Sequence, residues 1–231
     1  PFGEPLNIDY WLQYQCSTGI SILFDCAASF STLLPSSIPA VVSCHATKGF
    51  STGEGGYVAC TDTDFIDSIR VFSNFGFTSS RSASVHGINL KLSEINCAYG
   101  LTILDHKCHY FQPFVDQISY YNSLLIQYSD LVRPFNSSFY RTTYNVKFTS
   151  SKYNRQEFLY IMLDKYGIEC RSWWGNPLPV TFSKSTLFEF ETLPFTNSSY
   201  LAENVIGLPL GPHVNTFIQR HVVKSLVSCL L

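Results

Sequence analysis

The stretch Ser43–Cys60, "SCHATKGFSTGEGGYVAC", decides how the rest of the chain is read. Its only charged residues are Lys48 and Glu54, and four glycines (49, 53, 55 and 56) follow the lysine. It joins two apolar runs, "PAVVSCHAT" and "GGYVACTD", that have the length and bounding residues of buried strands. A third such run, "ISILFDCAA" over Ile20–Ala28, carries one acid, Asp25, near its end. Helical patterns flank these runs. "IDYWLQYQCSTG" stops at Gly19, and "DTDFIDSIRVFSNFG" places Phe65, Ile66, Ile69 and Phe72 on one face. Strands and helices alternate, so this half reads as α/β, with strands buried on both faces of a mostly parallel sheet.

From Ser93 a long helical pattern begins. Ser93 caps it, Ile95, Ala98, Leu101 and Leu104 keep the spacing, and Pro113 interrupts it before "FVDQISYYNSLLIQYSDL" resumes. Turn and strand follow around Arg133–Ser138, and "TYNVKFT" alternates as a strand. "NRQEFLYIMLDKYG" is a helix with Asn154 as cap, Glu157 at the capping-box spacing and Gly167 as stop. "IECRSWW" reads as a further strand, and a short helix follows Ser199. The division predicted is residues 1–110 for an α/β part and 111–231 for a smaller α+β part.

Composition narrows the function classes. Of 231 residues, 45% are hydrophobic, 16% aromatic and only 14% charged, against about 25% charged in ordinary domains. Such a surface suits burial against further sequence or a partner subunit. A net charge of −2, with no basic stripe, gives no reason to expect nucleic acid or an anionic membrane. No apolar run approaches the roughly 20 residues of a membrane span. Eight scattered cysteines without a C-x-x-C suggest reduced, buried thiols in a cytoplasmic protein. The chain starts at Pro1, inside what reads as ordinary domain sequence, and is expected to be a fragment.

Three chemistries compete within the opening stretch and its neighbours. Gly49-Phe50-Ser51-Thr52-Gly53 matches G-x-S-x-G, but a nucleophile elbow needs a helix directly after its serine, and a glycine turn into a strand follows here. His106, Cys108 and His109 lie within four positions on one helix and cannot all face one metal, so no metal site is expected. Asp25 and Lys48 end neighbouring apolar runs, where ligands of open α/β sheets bind. A lysine amine forms the Schiff base of pyridoxal phosphate (PLP) chemistry, and a carboxylate keeps the pyridine nitrogen protonated. A plain core salt bridge explains the same pair equally well on spacing alone.

The order of motifs adds a resemblance. "TGISILFDCAASF", "SCHATKGFSTGEGGYVAC", "IRVFSNFGF", "GINLKLSE", "YGIECRSWW" and "LAENVIGLPLGPHV" together resemble the DegT/StrS family of PLP-dependent sugar aminotransferases, of fold type I. The resemblance implies the C-terminal half of a PLP-transferase large domain, with a mixed, mostly parallel sheet, over 1–110 and a small α+β C-terminal domain over 111–231. It implies Lys48 as the Schiff-base lysine, Asp25 as the partner of the pyridine nitrogen, and Ser43 on the cofactor phosphate. Asn89 would reach the phosphate of a neighbouring subunit's PLP, which implies a homodimer. Arg171, Trp173 and Trp174 would line a pocket for a nucleotide-linked keto-sugar, with glutamate as amino donor. Two departures stand out: Ala28 where the family has Gln or His, and no histidine after "SWWGN". The family's phosphate-binding loop and ring-stacking aromatic would lie upstream of Pro1, so this chain alone is not expected to bind PLP tightly. A non-catalytic relative is the alternative, and a hydrolase using Ser51 a weaker one.

Overall fold

The computed structural model describes residues 2–135, 143–149, 153–172 and 196–231. They form two compact units, one over Pro1–Tyr110 and one over Phe111–Ser138 and Thr142–Leu231, each with its own sheet.

In the first unit, helix α1 (Ile8–Thr18) is capped by the Asn7 side chain, which accepts the Tyr10 N–H at 3.0 Å. It ends at Gly19, which adopts a left-handed φ of 70°. Strand β1 (Phe24–Asp25) pairs in parallel with β2 (Ala40–Ser43), and β2 pairs antiparallel with β3 (Gly56–Ala59). The sheet is mixed, as expected for this half, with one parallel and one antiparallel pairing among the described residues. Its strands are not buried on both faces. Ala40 and Val42 point into a core with Phe24, Cys26 and Ile38, while Val41 is 41% exposed. Asp25 is exposed at the end of β1.

Helix α2 (Thr63–Ser73) starts at Asp62, whose carboxylate accepts the Phe65 N–H at 3.0 Å. A clasp follows, held by isolated bridges Asn74↔Asn89 and Phe77↔Ala83. Gly76 is obligatory there: its φ is 77°, and a Cβ would lie 1.9 Å from the Val85 carbonyl oxygen. Helix α3 (Glu94–Asp105) is capped by Ser93. The break in the long helical pattern falls at His106 and not at Pro113, which sits inside helix α4 (Lys107–Leu125). Pro113 is the seventh residue of that helix, past its first turn, so the helix continues through it at the loss of the bond its N–H would have made to the His109 carbonyl.

The second unit is a four-stranded antiparallel sheet in the order β4 (Val132–Pro134), β5 (Thr143–Phe148), β7 (Val205–Pro209), β6 (Arg171–Ser172). Helix α5 (Arg155–Tyr166) carries the expected capping box of Asn154 and Glu157 and stops at Gly167 in the left-handed region. Helix α6 (Thr196–Asn204) leads into β7. Helix α7 (Thr216–Leu230), which the sequence reading did not single out, supplies Val222, Val223, Leu226 and Leu230 to the core. They pack with Tyr121, Tyr144, Val146, Phe158, Met162, Ile206 and Leu208. Burying each such apolar side chain is worth about 1.5–3 kcal/mol. A polar strut crosses this core: Gln219, 1% exposed, donates to the Gln117 carbonyl at 2.8 Å, and the Gln117 amide brackets Gly211.

Candidate functional site

The C-terminal ends of the parallel strands β1 and β2 place Asp25 and Ser43 on adjacent strands. Asp25 is level with Val41, two residues before Ser43, which separates their Cα atoms by about 8 Å. The Asp25 carboxylate accepts the Ala27 N–H at 3.0 Å, and the Ser43 hydroxyl accepts the His45 N–H at 3.3 Å. Each side chain thus ties down the turn that follows its own strand.

Lys48 closes the second of those turns, its N–H donating to the His45 carbonyl at 2.9 Å. The side chain is half-buried, and among the described residues its ammonium has neither an ion pair nor a hydrogen bond. Lys48 and Ser43 line a seam with Ala27, Ala28, Phe30, Ser31, Gly49 and Phe50. The seam holds only about 10 Å³ of free space, roughly one water, because Phe30 stacks on Phe50 with centroids 4.4 Å apart. Ser31 Oγ is buried there without a partner among the described residues. An unpaired buried hydroxyl beside an amine without an ion pair is a costly arrangement, of a kind that marks functional sites.

The glycines of "TGEGG" shape the loop that follows Lys48. Gly53 and Gly55 have φ of 92° and 104°, and Gly56 lies where a Cβ would meet the Val42 carbonyl oxygen at 2.5 Å. The Cys44 N–H donates to the Gly55 carbonyl, and the Thr52 N–H to the Cys44 carbonyl. Helix α3 packs on the loop: a Cβ on Gly100 would meet Thr52 Cγ2 at 2.9 Å and Phe50 Cζ at 3.5 Å. Ser51 is part of this scaffold. Its hydroxyl donates to the Cys44 carbonyl at 3.3 Å and accepts the Gly53 N–H at 3.1 Å. Among the described residues the Ser51 hydroxyl bonds only backbone groups, with no base beside it, which does not support the hydrolase reading.

His45, which the sequence reading passed over, has its Nδ1 accepting the Thr47 N–H at 3.2 Å and lying 2.9 Å from Thr47 Oγ1. Its Nε2 is 3.7 Å from the Glu54 carboxylate. Burial raises the thiol pKa of Cys44 and of Cys26, and pushes the Tyr57 hydroxyl up to about 12. All three stay protonated at neutral pH.

Of the remaining predicted residues, Asn89 is exposed in the clasp opposite Asn74, its side chain accepting the Lys91 N–H at 3.4 Å, and it does not line the Lys48 seam. Arg171 belongs to the second unit. It pairs with Glu169 at 3.1 Å and lines a cavity of about 530 Å³ with Thr143, His213 and His221. Trp173 and Trp174 lie outside the described residues. No sequence signal marked Ser31, Phe30 or Phe50, which come to the seam only through the pairing of β1 with β2.

Comparison with known proteins places this geometry. Residues 1–227 match the model of the DegT/DnrJ/EryC1/StrS aminotransferase family. The dTDP-4-amino-4,6-dideoxy-D-glucose transaminase of Shigella dysenteriae is 24% identical over 97% of this chain, which spans 63% of that relative's length. DesI, solved in the presence of its TDP-sugar product, superposes with a TM-score of 0.82 at 24% identity, over 99% of this chain and 60% of its own. Spr1654 of Streptococcus pneumoniae, solved in a PLP form, gives 0.81 at 20% identity, over 98% and 66%. The fold is that of the fold type I PLP-dependent aminotransferases, and the matched family and a neighbour solved with PLP indicate that cofactor.

Proposed function

The chain belongs to the DegT/DnrJ/EryC1/StrS aminotransferase family, and from that premise we propose that the protein carrying it moves an amino group from glutamate to a nucleotide-linked keto-sugar, using PLP held on Lys48. The observation that carries this reading is the convergence of an amine without an ion pair, an orphaned hydroxyl and an exposed carboxylate at the ends of two parallel strands. Such a donor set fits PLP. The seam holds only about 10 Å³ of free space, too little for a ring, so a group of that size would stand against the seam rather than inside it.

PLP, when bound, supplies an electron sink that lets a proton leave the α-carbon of an amine. Lys48 Nζ would hold the group covalently and, as a free amine, would serve as the general base and acid that carries that proton. Asp25, which has no ion pair among the described residues, would be the carboxylate that keeps a ring nitrogen protonated. Ser43 and Ser31 offer hydroxyls for hydrogen bonding at the seam. We assign Arg171 and Trp174 to the nucleotide-sugar, and Asn89 to the cofactor phosphate of a second copy in a cytoplasmic homodimer. The two units then correspond to large-domain and small-domain portions.

The test is a half-reaction with full-length protein loaded with PLP. Glutamate alone gives stoichiometric 2-oxoglutarate, and a nucleotide-linked keto-sugar then restores the starting spectrum. A protein that holds PLP but yields no 2-oxoglutarate favours a different donor. One that binds no PLP is the non-catalytic relative to which Ala28 points.

A further inference from the structure

Resting on the reading of Lys48 just given, we propose that His45 is a positioning residue that sets the Lys48 turn through Thr47, with Glu54 facing its ring from across the loop. Three contacts carry the inference. The His45 carbonyl accepts the Lys48 N–H at 2.9 Å, which closes the turn on which the amine stands. The ring folds back over the same turn, Nδ1 accepting the Thr47 N–H at 3.2 Å with Thr47 Oγ1 at 2.9 Å. With Nδ1 an acceptor, the ring proton sits on Nε2, and that nitrogen faces Glu54 Oε1 at 3.7 Å.

The clamp spans the whole loop. Glu54 lies on its far side, next to Gly53, which forms a parallel bridge with His45. Its own backbone is held, the carbonyl accepting the Thr52 hydroxyl at 3.0 Å and the Asn96 amide at 3.4 Å. His45 therefore connects the strand-end turn carrying Lys48 to the glycine loop and, through Asn96, to α3. The side chains of His45 and Glu54 are 46% and 78% exposed, and a pair so open to water adds little to global stability. A geometry this specific, at so small a thermodynamic return and three residues from the anchoring lysine, is accounted for by positioning. Misplacing a reacting group by about 1 Å costs up to a hundredfold in rate.

The test compares His45→Ala and His45→Asn in full-length protein. Asparagine at this position can still accept the Thr47 N–H through its side-chain oxygen, as in an Asx turn. The first readout is amide hydrogen exchange without cofactor. His45→Ala speeds exchange at Thr47 about tenfold or more, while Val42 and Tyr57 in the β2–β3 ladder keep wild-type protection. The second is kcat, which falls roughly ten- to a hundredfold with the KM for sugar little changed. His45→Asn restores most of both. Wild-type exchange at Thr47 in His45→Ala overturns the proposal, as does an asparagine variant no better than alanine. The exchange readout needs no PLP. A wild type that fails to attach PLP at Lys48 therefore defeats the proposed function, while the exchange result still judges the clamp.

Discussion

At the scale of single residues, Lys48 and Asp25 make different predictions although they serve one site. Asp25 is exposed, and its one local bond, from the Ala27 N–H, is available equally to an asparagine oxygen. Asp25→Asn should therefore keep stability within about 0.5 kcal/mol while lowering kcat on the order of a hundredfold. Denaturant unfolding and steady-state kinetics on the same preparation check both halves. A variant that loses stability and keeps kcat would make Asp25 a turn residue and nothing more. Lys48 was legible in the sequence because it is the only lysine in its glycine-rich stretch and follows an apolar run. The exposure of Asp25 was not, because a two-residue strand at the end of its pairing leaves its last side chain in water, and run length alone does not reveal where pairing stops. Ser31 was illegible for a related reason: it reaches the seam across strands, and only the register tells that.

At the scale of elements, helix boundaries were the most readable feature. Asn154 with Glu157, Ser93, Gly19 and Gly167 each supply a local hydrogen bond or a left-handed turn that needs no tertiary context. Asn154→Ala should cost about 1 kcal/mol by removing the box that opens α5, as measured by chemical denaturation. The glycines divide by what surrounds them. Gly19→Ala meets nothing within 4 Å and should lose only the roughly 1–2 kcal/mol of a left-handed alanine. Gly76→Ala adds a clash with the Val85 carbonyl oxygen to the same penalty, worth about 1–3 kcal/mol more. Equal effects would contradict the packing assigned to the clasp. Strand direction was less readable. β3 runs antiparallel because the glycine loop folds back on itself, with the Cys44 N–H donating to the Gly55 carbonyl, whereas its apolar run reads the same either way. Pro113 misled because a proline inside a helix removes one backbone bond without ending the helix, and α4 continues through it from Lys107 to Leu125.

At the scale of the whole molecule, burial fixes how the protein responds to alkali. Desolvation pushes the Cys170 thiol up to about 12, and it raises Tyr121 and Tyr144 in the same core. In the unfolded chain the thiol ionises near 8.5 and the tyrosines near 10. The folded state thus holds protons that the unfolded state releases, and its advantage is complete below about pH 8.5 and lost as pH climbs toward 12. Melting temperature should fall steadily across that window, with a shallower slope in Cys170→Ala. An identical slope would remove Cys170 from the account. Among the described residues no helix is long and apolar enough to cross a membrane. The exposed apolar side chains of α3, Ile95 at 81% and Leu101 at 62%, agree with the low charge that the composition showed at the outset. The central claim is that the half-buried amine of Lys48, at the ends of β1 and β2, is where this protein holds its cofactor. Borohydride reduction of the full-length protein in the presence of PLP, followed by peptide mapping, tests it most directly. The expected result is a single reduced adduct on Lys48, absent from Lys48→Ala. An adduct on another lysine, or none in a protein that retains PLP, would contradict it.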